Sequence, residues 1–180
     1  VGGSILSHDH FQGGKYNFTM FDASVLKRYV INKYPNIDVE YIKWPLDTIR
    51  IKGKNKTELT NLANTILNKW KVYSRPEIKL LSHSGDVRHN TITPIVRNNK
   101  GVYEMYLVLR NNRTTLEHPD GLFHPYQELH HIKKENIGLI EVMGLAVLPK
   151  RLKEEMDQLK KELLTTNNFD SNLLLKHKDW

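Results

Sequence analysis

Residues 91–110 read Thr91-Ile-Thr-Pro-Ile-Val-Arg-Asn-Asn-Lys-Gly-Val-Tyr-Glu-Met-Tyr-Leu-Val-Leu-Arg110. Two runs with strong β propensity, Thr91 to Arg97 and Val102 to Arg110, flank the tetrapeptide Asn98-Asn-Lys-Gly101. Asn and Gly tolerate the positive φ angles that tight hairpin turns require. The pattern therefore predicts a β-hairpin, which pairs its two strands antiparallel.

Strands and a helix are predicted upstream of this hairpin. Apolar residues alternate with polar ones over 37–41 and 49–51, which predicts two strands. Asn55 and Glu58 have capping-box spacing in front of apolar residues at helical intervals, which predicts an amphipathic helix. The apolar residues of that helix are Leu59, Leu62, Ala63, Ile66, Leu67 and Trp70. We expect Trp70 to be buried on its inner face.

Three further elements are predicted from local patterns. Asp22 is expected to cap a helix over residues 25–30 that Pro35 stops. The apolar run 137–148 predicts a buried strand, and Pro149 is expected to open a helix. The apolar face of that helix is Leu152, Met156, Leu159 and Leu163. Because the hairpin favours antiparallel pairing, we predict an α+β fold with a mainly antiparallel sheet and flanking helices, in one continuous unit.

Composition limits the class of protein. The chain has 180 residues, 39% hydrophobic and 26% charged, which is enough for a domain with its own core. It has no cysteine, which excludes disulfides and thiolate chemistry in this stretch. No apolar run reaches about 18 residues and no basic-then-apolar leader is visible, so we expect a cytoplasmic protein. The start at Val1 without Met predicts a piece of a longer protein.

The formal net charge is +7, from 27 Lys and Arg against 20 Asp and Glu. Such an excess suits anionic ligands, either nucleic acid or phosphorylated small molecules. The basic residues are scattered, however, which fits an ordinary solvated surface better. The chain lacks the aromatic-basic interleaving and the dense basic helix of nucleic-acid readers, so we expect neither a nucleic-acid nor a membrane partner.

The strongest chemical signal is Ser7-His-Asp-His-Phe-Gln-Gly-Gly14, which suits a strand end entering a turn at the two glycines. If it is extended, His8, His10 and Gln12 share one face, because side chains alternate along a strand. A neutral imidazole can act as a nucleophile, and a carboxamide can donate to a phosphate oxygen. The glycines allow backbone N–H groups to approach an anion. Spacing alone leaves a His-x-His metal pair, or surface histidines, equally open.

Residues 8–14 resemble the active-site strand of nucleotidyl transferases in the histidine-triad superfamily. The chain is similar in particular to the UDP-glucose–hexose-1-phosphate uridylyltransferases of the second, Gram-positive bacterial class, over the C-terminal part of that longer family. The further matching segments are Val39-Glu-Tyr-Ile-Lys-Trp-Pro45, His89-Asn-Thr-Ile-Thr-Pro94, Leu107-Val-Leu-Arg-Asn-Asn-Arg113, His130-His-Ile-Lys-Lys-Glu-Asn-Ile-Gly138 and Leu139-Ile-Glu-Val-Met-Gly-Leu-Ala-Val-Leu-Pro149. They stand in the family's order and span most of the chain.

This resemblance implies transfer of UMP from UDP-glucose to galactose 1-phosphate through a covalent uridylyl-histidine. By motif, His10 is the nucleophile and Gln12 steadies the phosphate oxygens. His8 is the supporting member, which either orients the site or binds a metal. The better-known class of the enzyme has a proline between the two histidines and a zinc site that draws partly on cysteines. Here Asp9 replaces that proline and cysteine is absent. The family analogy allows zinc, but the cysteine content does not support it, so the cofactor stays open and no metal-ligating residues are assigned. We expect the chain alone to be a weak catalyst, and a homodimer is a further expectation.

The substrate-binding residues predicted beside this motif are Ser7, Gly13, Gly14, Asn90, Arg110 and Lys133. For Arg88, Asn90 and Arg110, a surface position without a ligand is the favoured alternative. His124, His130 and His131 could contact the hexose phosphate, line a subunit interface or lie in a solvated loop. Two other functions stay open, namely a related nucleotide phosphorylase that accepts inorganic phosphate, and a non-catalytic domain that binds metal or nucleic acid.

Overall fold

The computed structural model describes residues 11–124, 126, 128, 138–165 and 172–178. The chain divides into two compact units. Asn17–Phe123 forms the sheet unit, and the described residues on either side of it belong to the helical unit. Within the described part of the chain, no helix is long and apolar enough to cross a membrane.

A five-stranded antiparallel sheet is the framework of the sheet unit. The strands in chain order are β1 (Val25–Tyr29), β2 (Asp38–Ile42), β3 (Thr48–Gly53), β4 (His83–Ser84), β5 (Val87–Arg88), β6 (Asn90–Asn99) and β7 (Val102–Asn111). The order in the sheet is β1-β2-β3-β7-β6, and β4 and β5 form a separate small hairpin. The predicted hairpin is confirmed as β6 and β7, paired in register from Asn90↔Asn111 to Asn99↔Val102. Lys100 and Gly101 take positive φ angles of 51° and 88° at its turn.

Helix α1 (Lys56–Lys71) packs against one face of this sheet. The predicted cap is confirmed, because the Asn55 side chain accepts hydrogen bonds from the backbone N–H groups of Thr57 and Glu58. A cap of this kind satisfies N–H groups that have no partner inside the helix. The core between helix and sheet consists of Tyr34, Ile37, Val39, Ile51, Leu59, Leu62 and Leu107. The two strands predicted over 37–41 and 49–51 are confirmed as β2 and β3.

The helix predicted over residues 25–30 is wrong. Val25–Tyr29 is strand β1, which pairs antiparallel with β2, and Asp22 ends a short 3-10 helix, Thr19–Asp22, instead of capping an α-helix. Val and Tyr have high β propensity, and so short a segment has little intrinsic helical stability. Pairing with the edge of β2 therefore fixes residues 25–29 as a strand.

The helical unit contains α2 (Leu139–Val142), α3 (Lys150–Thr165) and α4 (Asn172–Lys176). The helix predicted after Pro149 is confirmed as α3, with Leu152 and Leu159 buried. Its predicted apolar face does not extend to Leu163, which is 53% exposed. The Glu155 carboxylate holds α4 against α3, since it binds Lys176 Nζ at 2.8 Å and His177 Nε2 at 2.7 Å.

The buried strand predicted over 137–148 is wrong for its described residues, 138–148. Residues 139–142 form helix α2, and the chain leaves it through Gly144, whose φ is 95°. The backbone N–H groups of 142–145 bond to carbonyls of 138–141, within the same turn. Because these donors are satisfied locally, no sheet is needed to pair them. The fold is nonetheless α+β with a mainly antiparallel sheet, as predicted.

Candidate active site

The described part of the His-x-His-x-Gln motif is exposed and irregular. Phe11 is 95% exposed, and Gln12 is also exposed. Ser7, His8 and His10 lie outside the described residues, so their predicted roles stay predictions. No turn is assigned at Gly13 or Gly14, and neither takes a positive φ. The predicted turn is therefore wrong, because glycine permits such a turn without imposing it.

Both glycines of the motif have free space beside their backbone. A Cβ atom added to Gly13 or Gly14 would meet no atom of the other described residues within 4 Å, apart from those of its chain neighbours. Among the described residues, none therefore fills the side-chain position of either glycine, beside its backbone N–H group. An anion could approach them closely, which is the chemistry expected of the motif.

Asn90 is part of the scaffold of the sheet unit. It is 3% exposed, so the favoured surface position is wrong. Its Nδ2 donates to the carbonyl oxygens of Trp70 at 2.7 Å and Tyr73 at 2.8 Å. Its Oδ1 accepts from Asn111 Nδ2 at 2.6 Å. Both amide hydrogens thus have partners, and the side chain ties β6 to the end of α1. Its role as a substrate contact stays a prediction.

The two arginines predicted near the hairpin differ in environment. Arg88 on β5 is exposed, as the surface interpretation expects. Arg110 on β7 is half-buried, and its Nη1 donates to Thr93 Oγ1 at 3.2 Å. Burial lowers the pKa of the Arg110 guanidinium below its ordinary value. A guanidinium nevertheless keeps its proton in proteins, so Arg110 places a positive charge against the sheet.

A buried carboxylate network, which the sequence pattern does not predict, occupies the face of the sheet opposite α1. Glu40 is 2% exposed and binds Arg50 Nε at 2.7 Å and Lys52 Nζ at 3.1 Å, with Arg28 Nε at 3.4 Å. Burial acts to raise the pKa of Glu40, but the hydrogen bonds from Arg50 and Lys52 outweigh it and leave the pKa lowered. The only sequence signal is charged residues alternating with apolar ones, which usually marks a solvent-facing strand surface.

Glu104 is the second buried carboxylate on this face. Arg97 Nε donates to Glu104 Oε2 at 2.7 Å, and so does the Tyr106 hydroxyl at 2.8 Å. Asn99 Nδ2 donates to the other carboxylate oxygen at 3.0 Å. Burial acts to raise the pKa of Glu104, but these hydrogen bonds lower it to about 2. Burial and the Glu104 charge raise the pKa of Tyr106 to about 12.

The Glu104 site predicts a specific pH dependence of stability. The carboxyl has a pKa of about 2 when folded and about 4.5 without these contacts, so the folded state favours the ionised form. Its contribution is complete above pH 4.5 and is lost as the pH falls towards 2. That contribution is on the order of 3 kcal/mol at neutral pH. Glu104→Gln should lower the free energy of unfolding at pH 7 and flatten its decline below pH 4.5.

Urea unfolding of the wild type and Glu104→Gln at pH 7 and pH 3 measures this dependence. Glu77→Gln is the matched control, because the Glu77 side chain is 75% exposed and its nearest cation is 4.0 Å away. The control should keep the wild-type pH profile. If Glu104→Gln also kept that profile, the assigned role of Glu104 would be incorrect.

Histidines other than those of the motif are distributed over both units. His89 is 7% exposed, and its Nε2 lies 2.7 Å from Ser84 Oγ. Burial, followed by the Arg113 charge, lowers the pKa of His89, so this imidazole is neutral at pH 7. His124 is half-buried in the helical unit. His130, His131 and Lys133 lie outside the described residues, and their alternatives stay open.

The described residues offer no obvious metal centre. Among them, no group of three or more His, Asp or Glu side chains has the arrangement to hold a metal ion. Cysteine, the soft ligand that structural zinc sites most often use, is absent from the sequence. The residues described here therefore do not fit a zinc site.

Comparison with known proteins places the chain in a family. Residues 2–180 match the family described as galactose-1-phosphate uridyl transferase, C-terminal domain. The chain is 56% identical over its whole length to a galactose-1-phosphate uridylyltransferase of Clostridium acetobutylicum, of which it covers 37%. It is 53% identical over 93% of its length to that of Halalkalibacterium halodurans, covering 33% of it. The corresponding enzyme of Bacillus subtilis is 48% identical over the whole chain, which covers 36% of it.

The chain thus spans about a third of the length of the curated relatives that it matches. No solved structure matches it significantly. The family match covers almost every residue, and the relatives share about half of their aligned residues with it. The chain therefore belongs to the galactose-1-phosphate uridylyltransferase family, in the part that forms the C-terminal domain.

Proposed function

We propose that these residues are the C-terminal domain of a longer uridylyltransferase that exchanges UMP between UDP-glucose and galactose 1-phosphate. The observation that carries the proposal is the family match over residues 2–180. The motif from Ser7 to Gly14 supports it, because it supplies imidazoles, a neutral amide donor and two glycines within eight residues. These are the groups that a phosphoryl transfer through a covalent intermediate requires.

In the first step, an imidazole nitrogen of His10 attacks the α-phosphorus of UDP-glucose. A nitrogen–phosphorus bond forms and the bond from that phosphorus to the bridging oxygen breaks. Glucose 1-phosphate leaves with the electron pair. In the second step, a phosphate oxygen of galactose 1-phosphate attacks the same phosphorus, the nitrogen–phosphorus bond breaks and UDP-galactose forms. The overall reaction replaces one phosphoanhydride bond by another through a labile phosphoramidate, so it is reversible.

The neighbouring residues prepare this transfer. The Gln12 amide donates to a non-bridging phosphate oxygen without adding charge, which stabilises the transition state more than the ground state. The open backbone at Gly13 and Gly14 lets N–H groups reach the same phosphate. His8 orients the nucleophile, and Ser7 and Lys133 contact the substrates. A homodimer is part of the proposal, and sedimentation of the full-length protein tests it.

Incubation of the full-length protein with UDP-glucose alone tests the mechanism. The expected result is one UMP adduct on His10, located by mass spectrometry, with release of one equivalent of glucose 1-phosphate. The control is the same incubation with UMP, which lacks the glucose 1-phosphate leaving group and should give no adduct. Turnover without an adduct, or an adduct on another histidine, would contradict the assignment.

The choice of acceptor separates a uridylyltransferase from a related phosphorylase. Galactose 1-phosphate should discharge the adduct as UDP-galactose, whereas inorganic phosphate at the same concentration should not. Faster discharge by inorganic phosphate would identify a phosphorylase. The two products, UDP-galactose and UDP, are resolved by ion-exchange chromatography.

A further inference from the structure

Arg110 is a half-buried cation of the sheet that has no carboxylate partner among the residues described by the structure. Its one side-chain hydrogen bond among the described residues is from Nη1 to Thr93 Oγ1, at 3.2 Å. No Asp or Glu of the described chain lies within ion-pair distance of it. Arg50 lies on the same face of the sheet, and the Glu40 carboxylate is 2.7 Å from its Nε. Arg50, which is buried, and Arg110, which is half-buried, are thus opposite cases of charge compensation.

An uncompensated buried charge is costly. Removing a cation from water costs several kcal/mol unless an anion or several hydrogen bonds replace the lost solvation. One neutral hydroxyl at 3.2 Å replaces little of it. Perturbed, partly desolvated charges of this kind concentrate at functional sites, where a ligand supplies the missing counter-charge. A guanidinium carries donors in a planar fork, which suits two oxygens of a phosphate.

The backbone around Arg110 is held rigidly from several elements. Its carbonyl oxygen accepts from Trp70 Nε1 of helix α1 at 3.1 Å. The next side chain, Asn111, donates from Nδ2 to the Leu81 carbonyl oxygen at 2.8 Å and to Asn90 Oδ1 at 2.6 Å. Contacts from α1, β6 and the loop before β4 therefore fix the strand that carries the guanidinium. Such fixed geometry lowers the entropic cost of binding.

We propose that Arg110 and Thr93 form a binding site for the phosphoryl group of a substrate. The guanidinium binds two phosphate oxygens, and the Thr93 hydroxyl, which now accepts from Arg110, donates its own hydrogen to the phosphate. The site rests on the proposed function for its substrates, which are phosphate esters. It takes either the nucleotide phosphate or the sugar phosphate. Asn90, whose amide is fully used, contributes by holding the strand.

Phosphate binding to the full-length protein, in the absence of UDP-glucose, tests this site without any chemistry. Inorganic phosphate, UMP and galactose 1-phosphate are titrated at constant ionic strength, and the dissociation constant is measured by 31P NMR. Arg110→Met should weaken binding by roughly tenfold or more, the usual effect of losing a charged hydrogen-bonded pair. Thr93→Val should weaken binding less. The ester that loses more affinity in Arg110→Met identifies the source of the phosphate.

Arg75→Met is the matched control, because it removes the same charge from a side chain that is 60% exposed. It should bind phosphate as the wild type does. Equal losses in both variants would show non-specific attraction by the net charge and would overturn the proposal, as would unchanged binding in Arg110→Met. If circular dichroism shows that Arg110→Met does not fold, Arg110→Lys carries the test. This variant keeps the charge without the fork, so it should bind several-fold more weakly, and wild-type affinity would overturn the proposal.

The outcome is independent of the uridylylation experiment. Loss of the His10 adduct with intact, Arg110-dependent phosphate binding would contradict the proposed mechanism and leave this site standing. A His10 adduct, together with phosphate binding that is the same in Arg110→Met as in the wild type, would support the proposed mechanism and contradict this site.

Discussion

His10→Gly in the full-length protein is expected to abolish UMP exchange between UDP-glucose and galactose 1-phosphate. Without the imidazole no covalent intermediate forms, and the remaining groups provide only binding and electrostatic stabilisation. Gln12→Ala should be milder, with kcat lowered by about 10²–10³ for the loss of one donor to the developing charge. Because that hydrogen bond strengthens in the transition state, KM should change much less than kcat.

The measurement is the steady-state rate of UDP-galactose formation, together with the amount of adduct formed in one turnover. His83→Gly is the control for loss of an imidazole, since His83 lies exposed on the small β4–β5 hairpin. It should keep wild-type kcat. Substantial turnover by His10→Gly would remove His10 from the role of nucleophile, and His8→Gly would then be tested in the same way.

The elements that were predicted correctly from the sequence are those with local causes. The β6–β7 hairpin follows from turn residues that accept positive φ, and the structure places positive φ at Lys100 and Gly101. The start of α1 follows from Asn55, whose side chain caps the backbone N–H groups two and three residues on. Neither signal depends on distant parts of the chain, so both are visible in the sequence.

The elements that were predicted incorrectly depend on partners that no local pattern specifies. The apolar residues within 25–29 have spacings that suit either a helix or a strand. The segment forms a strand because it pairs with the edge of β2. The apolar run around Gly144 suggested a buried strand. There the chain satisfies its N–H groups within one helical turn, and Val147 remains 52% exposed.

Some features of the candidate site could likewise be predicted from the sequence, and others could not. The chemistry of residues 8–14 follows from residue types and spacing, whereas the difference between Asn90 and Arg110 follows from the fold. In sequence both are polar residues on hairpin strands. In the fold, the end of α1 supplies backbone carbonyl oxygens that accept both amide hydrogens of Asn90. Among the described residues, the Arg110 side chain by contrast has one hydrogen-bond partner, a hydroxyl group. Cross-strand contacts of this kind are set by tertiary packing and leave no periodic signal.

Trp70→Ala is expected to destabilise the protein by about 3 kcal/mol, at the low end of the range for aromatic truncations. Trp70 lies on the inner face of the helix, as predicted, since its indole bonds to the hairpin, but it is half-buried instead of buried. Its ring stacks on Tyr73, with 5.7 Å between centroids. The indole Nε1 donates to the carbonyl oxygens of Thr91 at 3.0 Å and Arg110 at 3.1 Å. Truncation therefore removes both packing and the link from α1 to the hairpin.

Trp70→Phe separates these two contributions, because it keeps an aromatic ring and deletes the N–H donor. Two carbonyl oxygens then lose the indole donor, which should cost about 1–1.5 kcal/mol. Urea unfolding at pH 7, with the denaturant dependence checked for constancy, gives both values. If the indole acted only as apolar surface, the Phe variant would be as stable as the wild type. A loss below about 1 kcal/mol for Trp70→Ala would show that the hairpin holds its geometry without α1, and that Arg110 is positioned by its strand partners alone.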